Sequence, residues 1–380
     1  MNNPEHSFSD LPAALLEEVI EKTATIGEEL ISEFSAMQAS RTAIRDALLD
    51  KGLIRSGHSL PSQPAPTTCA ADGTYAVERL LSVDFVAAAA VVVEGLTPPS
   101  EKRHWEEPHH MTYIRSEVHH ADTATILRSV MIGNELLLAH NAPHDLVMLD
   151  GSYTLPVIYF NQGVSKAGSA PLKTAEELRN KLGDYLSAYI KILLAERSDR
   201  QFVALPKYST RRELGLRLGW PDSYDDRWLL THVLQPGEFT RPLPLAEDAP
   251  WHIGLDGLPS NLQVIYKPLI EKATSALRQI YVFYYKPDEW LPALRVEAPV
   301  AIATNDHRLS VVIQGLQNQS VGGSMLEPYP IYLADRMVKA LARAMPTFRQ
   351  VAAQQLAENY GGDIGEVFRA MHGYRSESGG

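Results

Sequence analysis

Two apolar runs of this sequence carry the same short pattern, Asp-Gly followed by a hydroxyl residue and a tyrosine. The first lies in TTCAADGTYAVERLLSVDFVAAAAVVVEG, with Asp72, and the second in HDLVMLDGSYTLPVIYF, with Asp150. Asp-Gly between apolar runs is a common hairpin signal, because both residues tolerate the positive φ of a tight turn. Glycine also lets another backbone or a ligand come close, and rigid strand ends hold catalytic groups in place. The pattern therefore predicts either two hairpin turns or two functional carboxylates at strand ends.

The N-terminal part of the chain has the spacing of helices. Apolar residues recur at helical intervals over residues 11–53, with no internal proline or glycine cluster, which predicts two helices. The following segment, SGHSLPSQPAPTT, is rich in proline and serine, as connections between domains are. We therefore predict a helical region over residues 1–57 and a main domain over residues 58–380.

The main domain begins with strands. We predict one strand that ends near Asp72, a second over residues 79–93 and a third over residues 111–115. A helical pattern then starts at Asp122, a residue type suited to capping, and this helix carries Glu135 on a partly apolar face.

Strands and helices alternate after this point. DLVML predicts a fourth strand ending at Asp150, TAEELRNKLGDYLSAYIKILLAE a helix, and FVALP a fifth strand ending near Lys207. This order predicts an α/β fold with a mixed sheet, in which three antiparallel strands precede parallel strands that alternate with helices. Of the later segments, NLQVIYKP, QIYVFYYKP and ALRVEAP predict strands, and NDHRLSVVIQGLQNQ and YPIYLADRMVKALARAM predict additional C-terminal helices.

Composition restricts the class of protein. A chain of 380 residues with 45% hydrophobic residues can bury a large core. No apolar run approaches the roughly 20 residues of a membrane span. The N-terminus, MNNPEHSFSDLP, lacks the basic start and apolar core of a signal peptide, so we predict a cytoplasmic protein with no membrane partner. The single cysteine, Cys69, excludes an internal disulfide framework and a cysteine-cluster zinc site.

The acidic balance restricts how the chain can contact nucleic acid. A net charge of -11 argues against a protein that coats nucleic acid through its whole surface. It leaves room for a nuclease, because carboxylates that hold cations add negative charge and substrate contact can be confined to a groove. The one basic cluster near a strand end is PKYSTRRELGLRLG, which predicts contact with nucleic acid through Lys207, Arg211 and Arg212, although a solvated helix start would also explain it. Its basic residues are Lys207, Arg211, Arg212 and Arg217.

Four carboxylates occupy strand ends or helix faces in this prediction: Asp72, Glu135, Asp150 and Asp335. Oxygen-rich sets of this kind suit the hard cations Mg²⁺ and Mn²⁺. Two such ions about 3.5 to 4 Å apart can activate a water and stabilise the leaving oxygen of a phosphodiester. The set is therefore typical of a hydrolytic nuclease.

The order of these motifs resembles a known family. Asp on strand one, Glu on the helix after strand three, Asp on strand four and a ligand on a late helix is similar to the RNase H-like nuclease fold. More narrowly, AADGTYAVERL, IGNELLLAH, LVMLDGSY, ALPKYST, RVEAP and YPIYLADRMV together resemble the NurA nucleases. The resemblance covers about residues 67–344, and it implies a DNA nuclease that works with the HerA hexameric ATPase.

The resemblance also implies roles for individual residues. Asp72, Glu135 and Asp150 match the acidic metal ligands of the family, and Lys207 matches a lysine that could contact a phosphate. Asp335 falls where some members have histidine. Since aspartate and histidine both bind Mn²⁺, the choice between Mn²⁺ and Mg²⁺ stays open.

Four further residues carry two interpretations each. Tyr329 matches a Tyr-Pro motif of the family and could touch DNA or pack internally. Arg295 and Glu297 also match a family motif, but an internal ion pair is the favoured interpretation. Glu117 is an alternative to Glu135 as the helix carboxylate; nearer the predicted helix start, it would gain from the helix dipole without a metal.

The histidines suggest zinc only weakly. Adjacent histidines on a strand point to opposite faces, which separates the members of each pair. The spacing from His140 to His144 contains a proline and is typical of a loop. The pairs in question are His109 with His110 and His119 with His120.

These observations predict a two-metal deoxyribonuclease. The resemblance implies an exonuclease, with 5'-3' polarity and some endonuclease activity on single strands, that acts as a homodimer with a HerA-type motor in DNA end processing or antiviral defence. One alternative is a catalytically silent RNase H-like scaffold or binding subunit. Another is an RNA-cleaving relative such as a Piwi-type domain, which uses similar ligands.

Overall fold

The computed structural model describes residues 12–207, 212–222, 224–245, 251–323 and 325–379, and for residues 374–378 it describes the backbone alone. The described chain divides between Leu53 and Ile54 into two compact units. The assignment of residues 1–57 and 58–380 to separate domains stays a prediction.

The first unit contains one helix, α1 (Ala13–Asp50), where two helices were predicted. Gly27 lies inside it, but a single glycine costs only about 1 kcal/mol in a helix and does not end one. The helix ends instead before Lys51 and Gly52, where Gly52 has a φ of 62°. The prediction of two helices is wrong because the chain contains no true helix break between residues 13 and 50.

Within the described residues, the second unit is built on an eleven-stranded mixed sheet. The strands are β1 (Ile54–Ser56), β2 (Thr68–Leu80), β3 (Asp84–Glu94), β4 (His109–Glu117), β5 (Leu146–Asp150), β6 (Gln201–Leu205), β7 (Glu238–Thr240), β8 (Leu243–Pro244), β9 (Ile280–Tyr285), β10 (Leu294–Pro299) and β11 (Gly373–Gly379).

The strand order follows the predicted topology. It is β1-β7-β9-β10-β6-β5-β2-β3-β4, with β8 paired to β9 and β11 paired to β2. Strands β2, β3 and β4 are antiparallel, and β5 then pairs parallel with both β2 and β6. The later strands β9 and β10 return antiparallel beside β6. The predicted mixed sheet is confirmed.

The first Asp-Gly pair is neither a turn nor a strand end. Strand β2 passes through Asp72 and Gly73, with Asp72 opposite Val91 of β3, and the chain turns only after Leu80. The residues beyond Gly73 are apolar or β-prone and pair with both β3 and β11, so the strand continues. The second pair does end a strand, because β5 stops at Asp150 and the following Gly151 has a φ of 84°.

The helices of the second unit complete the fold. They are α2 (Thr123–Asn141), α3 (Leu155–Ala167), α4 (Lys173–Leu194), α5 (Glu213–Leu218), α6 (Asp226–Val233), α7 (Ser260–Leu277), α8 (Val300–Ala303), α9 (Asp306–Gln319), α10 (Tyr329–Asn359) and α11 (Ile364–Ala370), with a 3-10 turn over Gly57–Ser59. Among the described residues, no helix combines the length and apolar character that crossing a membrane requires.

Three local features differ from the expectations drawn from the sequence. NLQVIYKP begins helix α7, because the buried residues Tyr266, Ile270 and Ala273 recur at helical intervals while the neighbouring valine and isoleucine are exposed. Helix α3 was not predicted at all. Asp122 stands at the N-cap of α2, but its side chain makes no capping hydrogen bond.

Helix α2 lies close to α4, and one glycine permits this approach. A Cβ atom on Gly133 would lie 2.3 Å from Cδ2 of Tyr185. The Tyr185 hydroxyl donates a hydrogen bond to Asn134 Oδ1 at 3.0 Å, which fixes the helices against each other. Since Glu135 follows one residue after Asn134, this contact also sets where Glu135 lies.

We expect Gly133→Ala to lower the free energy of unfolding by about 1–3 kcal/mol, because the added methyl group overlaps the Tyr185 ring. Gly27→Ala is the matched control, since a Cβ atom there meets no described atom within 4 Å. That substitution should leave stability unchanged or raise it slightly, because alanine favours helix. Urea denaturation of both variants measures the difference, and equal effects would contradict this account of the packing.

Candidate metal centre

Four carboxylates from four elements line one cavity of about 520 Å³. Asp72 comes from β2, Glu135 from α2, Asp150 from the end of β5 and Asp335 from α10. One oxygen each of Asp72, Asp150 and Asp335 lies within 4.8 Å of the others. The structure therefore brings together all four of the predicted metal ligands.

Strand pairing explains why two of these carboxylates meet. Strands β2 and β5 are parallel neighbours, and Ala71 of β2 is paired with Leu149 of β5. Asp72 and Asp150 each follow one residue later. The parallel register therefore delivers both side chains to the same place, even though β2 continues while β5 ends.

Gly73 lets the third carboxylate approach. A Cβ atom at this position would lie 2.9 Å from Cγ of Met131 and 3.2 Å from Oε2 of Glu135. Any other residue would force Met131 or Glu135 of α2 to shift. The glycine of the first Asp-Gly pair thus serves close packing of helix on strand, while Gly151 of the second pair serves a turn.

The carboxylates are largely removed from water. Asp72 is 6% exposed and Glu135 is 3% exposed. Burial, and then the negative charge of Asp150, raise the pKa of Asp72 to about 8. Burial, and then the charges of Asp72 and Asp150, raise the pKa of Glu135 well above its usual range. In the metal-free protein, protons therefore compensate part of the negative charge.

Lys207 compensates another part. Its ammonium group lies 2.8 Å from Asp150 Oδ2, 2.9 Å from Glu327 Oε2 and 3.4 Å from Asp335 Oδ1. Burial alone would lower the pKa of Lys207, but these charges outweigh it and raise the pKa. Lys339, one turn beyond Asp335 on α10, pairs with Asp335 at 2.8 Å.

A buried ion network supports the loop after Asp150. Glu297 accepts hydrogen bonds from the Ser152 hydroxyl and from the backbone N–H of Tyr153, each at 2.8 Å. Arg295 pairs with Glu297 and lies 2.5 Å from Glu213 on its other side. All three ionic side chains are about 1% exposed. The favoured interpretation of Arg295 and Glu297 as an internal ion pair is confirmed.

The other predicted contact residues are dispersed. Arg211 lies outside the described residues. Arg212 donates to the backbone carbonyls of Trp220, Pro221 and Tyr224 and pairs with Asp222, so its guanidinium is used in holding that loop. Tyr329 is the first residue of α10 and is half-buried. DNA binding by these residues stays a prediction.

Glu117 has a different structural role. It ends β4, and its carboxylate accepts hydrogen bonds from the backbone N–H groups of Lys173 and Thr174 at 3.0 and 2.7 Å. It therefore caps α4 and not the helix that carries Glu135.

The four neighbouring histidines form no metal cluster within the part of the chain that the structure describes. His119 bonds to Asp84 at 2.7 Å, and His109 stacks on Trp105 with ring centroids 4.2 Å apart.

The sequence did not identify three residues that lie in or beside the cavity. Glu327 binds Lys207, and Lys339 and Arg343 line the cavity from α10. The i, i+4, i+8 spacing of Asp335, Lys339 and Arg343 places them on one face of a helix, which is the signal that could have found the two basic residues. Nothing local marks Glu327, because its contact joins the segment before α10 to Lys207 in the loop after β6.

The arrangement fits a hard divalent cation. Oε1 of Glu135 is buried and has no hydrogen-bond partner among the described residues. Such an oxygen is costly to bury unless a cation or proton satisfies it. With Asp72, Asp150 and Asp335 it forms an all-oxygen donor set, which Mg²⁺ and Mn²⁺ prefer over soft metals.

Comparisons with known proteins agree with this architecture. A family model described as the NurA domain matches residues 66–340. The fold is similar to the crystal structure of the NurA nuclease from Sulfolobus solfataricus, at a TM-score of 0.55 and 15% identity, covering 90% of this chain and 98% of that chain. It is also similar to a crystal structure of NurA with manganese, at a TM-score of 0.51 and 14% identity, covering 90% and 99%. No curated protein sequence matches this chain significantly.

The raised pKa of Asp72 predicts a pH-dependent stability of the metal-free protein. Between about pH 4 and pH 8 the folded state keeps a proton on Asp72 that the unfolded chain has lost. The free energy of unfolding should therefore fall as the pH rises through this range. With saturating Mn²⁺ the free energy of unfolding should fall less over this pH range, because the bound cation would neutralise the charge that the proton otherwise neutralises.

Chemical denaturation with chelator or with Mn²⁺, at about pH 5 and about pH 8, measures this dependence. Asp72→Asn is the control, since it removes the titrating group and should weaken the dependence without metal. Identical pH dependence in the wild type and this variant would show that Asp72 does not carry the effect.

Proposed function

This chain belongs to the NurA family, and from that premise we propose that it is a metal-dependent deoxyribonuclease that hydrolyses phosphodiester bonds with two Mn²⁺ or Mg²⁺ ions. One observation carries the proposal. Three carboxylate oxygens from Asp72, Asp150 and Asp335 lie within 4.8 Å of one another in a cavity that also contains the unpartnered oxygen of Glu135.

Each residue of the cluster has a role in this proposal. Asp72, Glu135, Asp150 and Asp335 hold the cations. Bound divalent ions of this kind lower the pKa of a coordinated water and stabilise charge on phosphodiester oxygens. Lys207, which already lies within 3.4 Å of two of these carboxylates, donates a hydrogen bond to a phosphate oxygen.

The cavity wall on α10 extends this phosphate-binding role. Lys339 and Arg343 line the cavity beyond Asp335, and the side chain of Lys339 is 61% exposed. In a chain with a net charge of -11, such a local basic stripe offers a path for the sugar–phosphate backbone that the surface as a whole does not. We include both residues in the substrate-binding surface.

The finer features of the activity rest on the family resemblance. They are exonuclease action with 5'-3' polarity, some endonuclease action on single strands, and a place in DNA end processing or antiviral defence. The cytoplasmic location predicted from the sequence is part of the same proposal.

We expect Asp150→Asn to abolish cleavage of labelled linear DNA in Mn²⁺, because removing the charge of one cluster carboxylate would weaken cation binding. The expected loss is at least about a hundredfold in rate, the scale on which a charge that stabilises the transition state acts. Asp72→Asn should behave in the same way, and chelator should abolish wild-type activity. A variant that kept near wild-type rates would contradict the metal centre.

Matched DNA and RNA strands decide the substrate in the same assay. Preferential cleavage of RNA would favour an RNA-cleaving enzyme of the Piwi type. A wild-type protein that is inert on both substrates in Mn²⁺ would favour the silent scaffold.

We expect Arg343→Ala to raise KM for DNA several-fold and to reduce the slope of log affinity against log salt by about 1, because one phosphate contact is lost. The value of kcat and the Kd for Mn²⁺ should change little. Arg336→Ala is the matched control. Arg336 lies on the same helix and is exposed, and its Cζ lies 5.7 Å from the centroid of the Tyr332 ring. Equal effects of both variants would show that only general charge matters.

We also propose that the protein acts as a homodimer on a HerA-type hexameric ATPase. The acidic net charge supports this partnership, because a nuclease with little general attraction for DNA benefits from a motor that feeds strands to its cavity. Helix α1 supports it as well, since Val19, Ile26, Leu30 and Phe34 expose an apolar stripe.

We expect light scattering to give twice the chain mass for the full-length protein and a larger complex after addition of the motor. A version without residues 1–57 tests whether α1 supplies the contact. A monomer that ignores the motor, and degrades DNA equally well without it, would defeat the partnership and leave the metal centre untouched.

A further inference from the structure

Glu327 differs from the other carboxylates around Lys207. Asp150 and Asp335 line the cavity together with Asp72 and Glu135, and Glu327 does not. It nevertheless lies 2.9 Å from the Lys207 ammonium, which is as close as Asp150 at 2.8 Å. Glu327 is therefore placed to bind the lysine without belonging to the cation-binding set.

A cation and the lysine compete for the same oxygens. Lys207 contacts Oδ2 of Asp150 and Oδ1 of Asp335. Divalent ions on these carboxylates would bring two or more positive charges next to the ammonium. Because like charges at such distances repel strongly in a half-buried cavity, the lysine needs another anion if it is to stay there.

Both members of the Lys207–Glu327 pair are held in place. Glu327 directly precedes Pro328, the N-cap of the 31-residue helix α10, where the helix dipole favours negative charge. The backbone carbonyl of Lys207 accepts a hydrogen bond from Arg227, whose Nε also donates to the carbonyl of Ala293 at 2.9 Å. The side chains of Lys207 and Glu327 are 28% and 20% exposed, so the pair is partly shielded from solvent.

We propose that Glu327 is a positioning residue that keeps the Lys207 ammonium beside the metal centre when cations occupy Asp150 and Asp335. The inference rests on the proposed function, and it explains how a lysine can remain available to a phosphate next to bound cations. With cations bound by Asp150 and Asp335, the ammonium group of Lys207 would keep its contact with Glu327.

The Lys207–Glu327 pair should affect how tightly the site binds a cation. In Glu327→Gln, the lysine retains only the carboxylates that the cation needs, so the two compete directly. The Kd for Mn²⁺ should rise about tenfold, the size expected from losing one partly buried charge pair. In Lys207→Met the competitor is gone, so the Kd should fall.

The test is isothermal titration of the full chain with Mn²⁺ alone, in a double-mutant cycle of Glu327→Gln and Lys207→Met. The double variant should bind Mn²⁺ within about threefold of Lys207→Met, because Glu327 acts through the lysine. Glu289→Gln is the matched control, since it removes an exposed carboxylate elsewhere and should leave the Kd unchanged. Thermal unfolding of each variant confirms that it is folded.

Two results would overturn the inference alone. If Glu327→Gln raised the Kd as much with Met at position 207 as with Lys, Glu327 would be a direct cation ligand. Alternatively, the substitution could leave the Kd of the otherwise wild-type protein unchanged, which would make the ion pair irrelevant to the metal centre. A wild-type protein that bound no Mn²⁺ would instead remove the proposed function, and this inference with it.

Discussion

Mutual repulsion among four carboxylates is the constraint on which the site depends. Asp72 and Glu135 are almost fully buried, and Asp150 and Asp335 lie beside them with side-chain exposures of 15% and 18%. Charges of one sign at such distances in a poorly hydrated cavity cannot all be ionised without compensation. The protein supplies part of that compensation through Lys207, protons supply another part, and a divalent cation satisfies the set most fully.

Close packing of the helices, strands and loop that carry the carboxylates resists this repulsion. Gly73 allows α2 to approach β2, and Gly133 allows α2 to approach α4, and these contacts set the position of α2 and of Glu135 on it. The buried ion pair of Arg295 and Glu297 holds the loop residues that follow Asp150. A buried ion pair is weak evidence for stability, but removing one partner is costly, which fits a role in fixing geometry.

The sequence predicted what depends on local pattern. Asp72 and Asp150 followed from apolar runs ending in Asp-Gly, and the mixed sheet followed from the order of strands and helices. Glu135 and Asp335 followed from their places on predicted helices, and the resemblance to a known family added the role of Lys207 as a phosphate contact. Features that depend on tertiary contacts were missed. Glu327 became relevant only because the segment before α10 meets the loop after β6, a contact between residues 120 positions apart.

Some errors came from local signals that the tertiary structure overrides. Asp72 lies inside a strand because Gly73 and the residues after it pair with two neighbouring strands, so a turn signal was read where none is used. In α7, the exposed Val264 and Ile265 gave the segment the composition of a strand, while buried residues at helical spacing decided its structure. Arg212 shows that charge alone does not reveal a structural role: it holds a loop, and its contact with DNA stays a prediction.

The measurement that tests the central claim most directly is anomalous X-ray diffraction from crystals of this protein grown or soaked with Mn²⁺. The account predicts two anomalous peaks in the cavity, bound by oxygens of Asp72, Glu135, Asp150 and Asp335, with the Lys207 ammonium still in contact with Glu327. Crystals that contain Mn²⁺ elsewhere, with Lys207 still bound to Asp150 and no peak among the four carboxylates, would contradict it.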